Sequence, residues 1–148
     1  MKRFRRILHA TDFSTASKRA FEIAVEFAKQ NRAELLLVHV LVPHVIYPPD
    51  AEADPTFYLE LERTTRRQAQ SSLDALVGQV KRRKVKVKGL LLRGTAHDQI
   101  VRSAKNRRAD MIVIGTHGRT GISKLLMGSV AGRVISEATC PVLTVRGK

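Results

Sequence analysis

Apolar residues along this chain gather in five short runs, and between those runs they recur at helical spacing. "RILHAT" (6–11) reads as a short buried strand. In "STASKRAFEIAVEFAKQN" that follows, Ala20, Phe21, Ala24, Phe27 and Ala28 share one face, which predicts a helix capped by Ser14. "AELLLVHVLVP" is a near-continuous apolar run ended by Pro43. Continuous rather than alternating apolarity is expected of a strand buried on both faces, as in a parallel sheet. The Pro- and Asp-rich "HVIYPPDAEADP" is the one long loop. Beyond it, Phe57, Leu61, Ala69, Leu73, Leu76 and Val80 keep a helical period, predicting a long helix from about Thr56 to Lys81.

"KVKVKGLLLRG" predicts a third strand. "TAHDQIVRSAKNRR" predicts a short helix, with Thr95 as a cap and Ile100, Val101 and Ala104 on its apolar side. "DMIVIG" is a fourth strand, and a helix is expected near Ser129 to Glu137 with Val130, Val134 and Ile135 facing inward. "CPVLTVRG" ends the chain as a fifth strand, where Pro141 fits an edge position because it cannot donate to a ladder. Five strands alternating with four helices are the pattern of an α/β domain whose parallel sheet is covered on both faces. No repeat, linker or low-complexity tract marks a second domain, so residues 1–148 are expected to form one.

Composition narrows the class. At 43% hydrophobic but only 5% aromatic, the core must be aliphatic. No apolar run approaches the roughly 18 residues that span a bilayer. "MKRFRRILHATDF" starts with the positive charge of a signal peptide, but its apolar continuation is short and Asp12 interrupts it, so no signal is expected. The single cysteine, Cys140, excludes an internal disulfide and reads as structural. Together these favour a soluble cytoplasmic protein. No histidine pair has a spacing that calls for a metal ion, and no Ser-His-Asp set or paired carboxylates stand out for hydrolysis.

The net charge of +14 admits two readings. Its clusters, "KRFRR", "KRRKVKVK" and "KNRR", fall where solvated surfaces and helix C-termini favour cations. They could also form a nucleic-acid face, although few aromatic residues are interleaved to stack bases.

The stretch "MIVIGTHGRTGISKLLMGSVAGRVI" carries the most distinctive chemistry. Gly115, Gly118, Gly121 and Gly128 lie between the fourth strand and the following helix. Glycines let backbone N–H groups approach a phosphate, and the helix beginning at Ser129 adds free N–H groups and a positive dipole end. Ser129, Arg119 and Lys124 could add a hydroxyl and charge. Neither a P-loop nor a G-x-G-x-x-G fingerprint fits, since His117 stands two residues after Gly115. On spacing alone, an anion cradle and a flexible connector both remain open. In an open α/β sheet, ligands sit beyond the carboxyl ends of the strands, so Asp12 after the first strand is a second candidate. It could equally be a capping carboxylate beside Ser14.

"GTHGRTGISKLLMGS" resembles the G-x2-G-x9-G-[ST] hallmark of the universal stress protein family, with Gly115, Gly118, Gly128 and Ser129 at the matching positions. "ILHATDFSTASKRAFEIA", "LLLVHV" and "SEATCPVLTV" resemble that family's first strand and helix, second strand and last strand, so the similarity covers nearly the whole chain. The resemblance implies a Rossmann-like, doubly wound sheet of strand order 3-2-1-4-5 and membership of the ATP-binding subgroup, with a regulatory or stress-response role. It places Thr11 and Asp12 at the adenosine end of ATP and the Val40 backbone at adenine. Gly115, Thr116, Gly118, Arg119, Gly128, Ser129 and Val130 would surround the ribose and phosphates, with Mg²⁺ carried by the phosphates. It also implies a homodimer through Val142, Leu143, Thr144 and Val145. Phe13, where many relatives have Gly, and Ala96, where many have Pro, depart from the family pattern. Slow ATP hydrolysis and nucleic-acid binding by the basic surface are the alternatives to a purely nucleotide-binding role.

Overall fold

A computed structural model describes residues 3–43, 54–117 and 127–147. The elements alternate as β1 (Arg6–Ala10), α1 (Thr15–Asn31), β2 (Glu34–Leu41), α2 (Pro55–Arg82), β3 (Val87–Arg93), α3 (Ala96–Asn106), β4 (Met111–Gly115), α4 (Ser129–Glu137) and β5 (Val142–Val145). The strands form one parallel sheet in the order β3-β2-β1-β4-β5. The five strands and four helices match those expected from the hydrophobic pattern, with boundaries shifted by a residue or so.

Strand geometry explains why the apolar runs are continuous. Successive side chains point to opposite faces, and both faces are covered. Ile7, Leu35, Leu37 and Val113 pack beneath α1 and α2 with Phe21, Ala24, Leu73 and Val80. Leu8, Leu36, Val38, Ile112 and Ile114 pack on the other side with Ile100 and Ala104 of α3 and Ala131 and Val134 of α4. Ser14 caps α1 as expected, its hydroxyl accepting from the Ser17 N–H at 3.2 Å.

The expectations for Ile135 and Thr95 are corrected, and α2 extends past the surface it packs on. Phe57 and Leu61 are 61% and 54% exposed, although they continue the helical period of Ala69, Leu73 and Val80. The reason is length: α2 has 28 residues, about 42 Å, whereas a strand of seven residues covers only about 23 Å. Its first half therefore runs past the sheet, and Glu62 ion-pairs with Arg93 at the end of β3. Ile135 is 43% exposed rather than inward, because the buried stripe of α4 is set by Ala131 and Val134. Thr95 precedes α3 but its side chain makes no capping hydrogen bond.

The two sheet edges differ. Strand β3 exposes Lys88 and is preceded by exposed Lys86, a common guard against edge pairing. Strand β5 carries no charged residue, and Val142, Leu143 and Thr144 are only half-buried.

Candidate functional site

The chain turns in opposite directions from β1 to β2 and from β3 to β4, so the carboxyl ends of β1 and β4 flank the switch point of the sheet. A cavity of about 380 Å³ lies there. Its walls are the ends of β1, β2 and β4 and the first turns of α3 and α4. Thr11, Asp12, Val40, Gly115, Thr116, Gly128, Ser129 and Val130 all line it. Gly118 and Arg119, together with Gly121, Lys124 and His44, lie outside the described residues.

The β1–α1 turn is held by side chains. Thr11 extends the ladder beyond β1, its N–H donating to the Val38 carbonyl at 2.9 Å. The Thr11 hydroxyl accepts from the Phe13 N–H at 3.1 Å, and Asp12 Oδ1 accepts from the Ser14 N–H at 2.9 Å. Asp12 thus has the local bonding of a turn residue while its side chain borders the cavity, so the two readings of it are compatible. Phe13 adopts φ 63°, the left-handed region that a glycine enters more readily.

His39, inside β2, is buried, and it also lines the cavity. Its Nδ1 lies 2.8 Å from the Thr11 carbonyl oxygen. A carbonyl only accepts, so Nδ1 carries the proton and the tautomer is fixed. Strand alternation could have flagged it, since a polar ring two residues past Leu37 must find a partner at the strand end. Ala96, one of the departures from the family pattern, lines the cavity, and Ser17 and Ile100 are further lining residues that no sequence motif marked.

On the neighbouring strand β1, opposite Leu37, His9 is fully buried, its Nδ1 donating to the Val113 carbonyl at 3.0 Å. Its Nε2 has no hydrogen-bond partner among the described residues. Burial lowers its pKa to about 4, against smaller opposing effects of that hydrogen bond and of Asp12, so the ring is neutral at pH 7. The Cys140 thiol is pushed up by burial, which opposes use as a nucleophile.

The opposite wall is the start of α4. Gly128 occupies the cap position without a side-chain cap, and its N–H donates to the Thr116 carbonyl at 2.7 Å. The N–H groups of the next three residues have no acceptor within the helix and constitute its positive end. A Cβ on Gly128 would stand 3.0 Å from the Thr116 oxygen, so glycine permits the close approach that seats this helix start on the end of β4. Among the described lining residues the only carboxylate is Asp12 and there is no Lys or Arg. For an anion, these residues therefore offer hydroxyls and the N–H groups of a helix start. Among the described residues no group of three His, Cys, Asp or Glu side chains is placed to hold a metal ion. No described helix is long and apolar enough to cross a membrane.

The Universal stress protein family profile matches residues 3–146. A universal stress protein of Thermus aquaticus is 36% identical over 97% of this chain and 99% of its own. The solved structure of MJ0577 from Methanocaldococcus jannaschii superposes with a TM-score of 0.85 at 28% identity, covering 99% of both chains. A universal stress protein of Archaeoglobus fulgidus, solved in complex with dAMP, shares the fold at a TM-score of 0.67 and 24% identity, over 98% of this chain and all of that one. The chain belongs to the universal stress protein family.

Proposed function

We propose that this universal stress protein binds ATP in the cavity at the switch point and uses it to regulate its own assembly. The observation that carries this reading is convergence: the turn holding Asp12, the end of β2 at Val40 and the glycine-capped start of α4 border one cavity. At about 380 Å³ the cavity suits the nucleoside part of the ligand, since small-molecule pockets run from roughly 300 to 1,000 Å³. Its walls divide accordingly. Val38, Val40, Ile100 and Ile114 offer apolar surface to a base, with the Val40 backbone at its edge. Thr11 and Asp12 offer acceptors to a ribose. Gly115, Thr116, Gly118, Arg119, Gly128, Ser129 and Val130 take the sugar and phosphates, and Mg²⁺ would arrive on the phosphates. The dAMP bound by the Archaeoglobus relative, a likeness that extends to the fold alone, makes adenine nucleotides the class to test first.

Binding is favoured over turnover because one Asp12 oxygen and the His39 Nδ1 proton are engaged in orienting the turn. Asp12 Oδ1 is held by the Ser14 N–H, and the His39 Nδ1 proton by the Thr11 carbonyl. In phosphoryl transfer a group must instead position the attacking water.

The uncharged β5 edge, set against the lysine-guarded β3 edge, supports a homodimer formed by antiparallel pairing of β5 strands. Thr116 connects this edge to the cavity, since it lines the cavity and donates its N–H to the Val145 carbonyl at 2.9 Å. Calorimetric titration with ATP and AMP tests the reading. Saturable heat with ATP is expected, and its absence at millimolar nucleotide would overturn it. Equal dimer affinity with and without ATP would remove the regulatory part.

A further inference from the structure

Parallel strands all begin at one pole, and helices α1, α2 and α3 all end there. Each of these three helices returns to the sheet through a residue in the left-handed region: Arg32 at φ 50°, Lys84 at φ 59° and Arg108 at φ 53°. Glycine is the usual occupant of such a position because any Cβ is strained there, and Asn is the usual second choice. Here all three are cations, and all three are exposed. The helix dipole alone is a weak reason for them, because Lys29, Lys81 with Arg82, and Lys105 already occupy the last turns of these helices.

The strand order turns these positions into a row. Lys84 precedes β3, Arg32 precedes β2, Arg5 precedes β1 and Arg108 precedes β4, in the order in which those strands lie side by side. Four strands at about 4.8 Å spacing set a width of roughly 14 Å. The backbone binds the segments to one another: Glu34 N–H donates to Arg5 O at 2.9 Å, Leu35 N–H to Lys86 O at 2.8 Å and Asp110 N–H to Arg6 O at 2.8 Å. The acids at this pole are already engaged. Glu34 lies between Arg6 and Lys86 at 3.6 and 3.9 Å. Asp110 accepts the Arg5 and Arg6 N–H groups at 2.8 and 3.0 Å. Glu22 and Glu26 hold Arg83.

We propose that this cationic pole, at the opposite end of the sheet from the nucleotide cavity, is a binding surface for the phosphate backbone of double-stranded nucleic acid. Guanidinium groups suit phosphate oxygens, which they can meet with two parallel N–H bonds. Among the described residues, the segments that enter β1 to β4 carry none of the exposed large apolar side chains, which favours a phosphate backbone over a bilayer as the partner. Phe4, the one aromatic ring among the described residues of these segments, is partly buried against the core rather than free to stack an unpaired base, which favours a duplex over a single strand. Contact to backbone alone makes the binding independent of sequence and strongly dependent on salt.

The test uses the left-handed positions themselves. The triple variant Arg32→Gly, Lys84→Gly, Arg108→Gly removes three charges where glycine is the less strained residue, so its melting temperature should be unchanged or higher. Fluorescence anisotropy of a labelled mixed-sequence duplex, titrated over a series of KCl concentrations, should show steeply salt-dependent binding by the wild type. In the triple variant the slope of log K against log salt should fall by roughly 2 to 3, about 0.9 per lost phosphate contact. Unaltered affinity and slope in a folded variant would overturn the proposal. So would failure of the wild type to bind the duplex at low salt, including the case where it binds phosphatidylglycerol vesicles instead. ATP titration of both proteins reports on the cavity separately, so either conclusion can fail alone.

Discussion

The Phe13 ring lies against the His39 imidazole with centroids 4.3 Å apart and planes inclined by 33°, and it does so from a left-handed backbone at φ 63°. The same His39 holds the Thr11 carbonyl, so the stacked pair fixes both sides of the turn that presents Asp12. A strained backbone persists only where its surroundings compensate for it, and here the compensating contact is the ring. Phe13→Ala removes the ring and keeps the strain, whereas Phe13→Gly removes both. Urea unfolding should find the glycine variant more stable than the alanine variant by about 1 kcal/mol. Both should bind ATP more weakly than the wild type. The opposite stability order would show that the left-handed conformation carries no strain.

His9 makes stability depend on pH. Its folded pKa is about 4 against an ordinary 6.5, so between those values the unfolded chain binds a proton that the folded chain refuses. Its contribution is complete above pH 6.5 and is lost as the pH falls toward 4. The loss should reach roughly 2 kcal/mol by pH 5. His9→Gln keeps a donor for the Val113 carbonyl but does not titrate. Urea unfolding at pH 7 and pH 5 should therefore show a smaller difference for this variant than for the wild type, and an equal difference would locate the proton uptake elsewhere.

The two described glycines of the motif should differ in sensitivity. A Cβ on Gly128 would lie 3.0 Å from Thr116 O, while one on Gly115 would have nothing nearer than His117 O at 3.5 Å. Gly128→Ala should therefore shift the start of α4 and weaken ATP about tenfold, equivalent to 1.4 kcal/mol. Gly115→Ala should weaken it by less. Calorimetry on the two variants, with circular dichroism to confirm the fold, checks the ranking.

The β5 edge can be probed without touching the core. Ile112 and Thr116 donate to the carbonyls of Pro141 and Val145, so by alternation Val142 and Thr144 direct their backbone groups away from β4. Thr144→Pro removes an outward donor and leaves the ladder to β4 intact. Sedimentation should show the wild type as a dimer and this variant as a monomer with a normal unfolding curve. A wild-type monomer would remove the dimer from the proposed function.

Element order was legible because buried parallel strands and one-sided helices have different hydrophobic periods, and both periods were clear in "AELLLVHVLVP" and "SKRAFEIAVEFAKQ". The expected cavity residues that the structure describes do lie together, because strand order brings the ends of β1, β2 and β4 to one place. Phe57 and Leu61 keep the helical period although they are exposed, because that period continues unchanged past the end of the surface the helix packs on. The role of His39 was not legible, as local sequence shows that a ring is buried inside a strand but not that its partner is the Thr11 carbonyl. The row formed by Lys84, Arg32, Arg5 and Arg108 was invisible as a row. These residues are far apart along the chain and become neighbours only through the order β3-β2-β1-β4.

The unequal guarding of the two sheet edges also governs how large an assembly can grow. A sheet with two bare edges has a valence of two and can propagate into a fibre. With Lys88 on β3 and Lys86 just before it, the proposed dimer would give this sheet a valence of one. In the proposed homodimer the antiparallel contact between two β5 strands is isologous, so each copy would consume the other's bare edge in the act of pairing. In that dimer sheet-to-sheet growth would stop at a pair whatever the protein concentration, and loss of the lysines at 86 and 88 would be the change that reopens it.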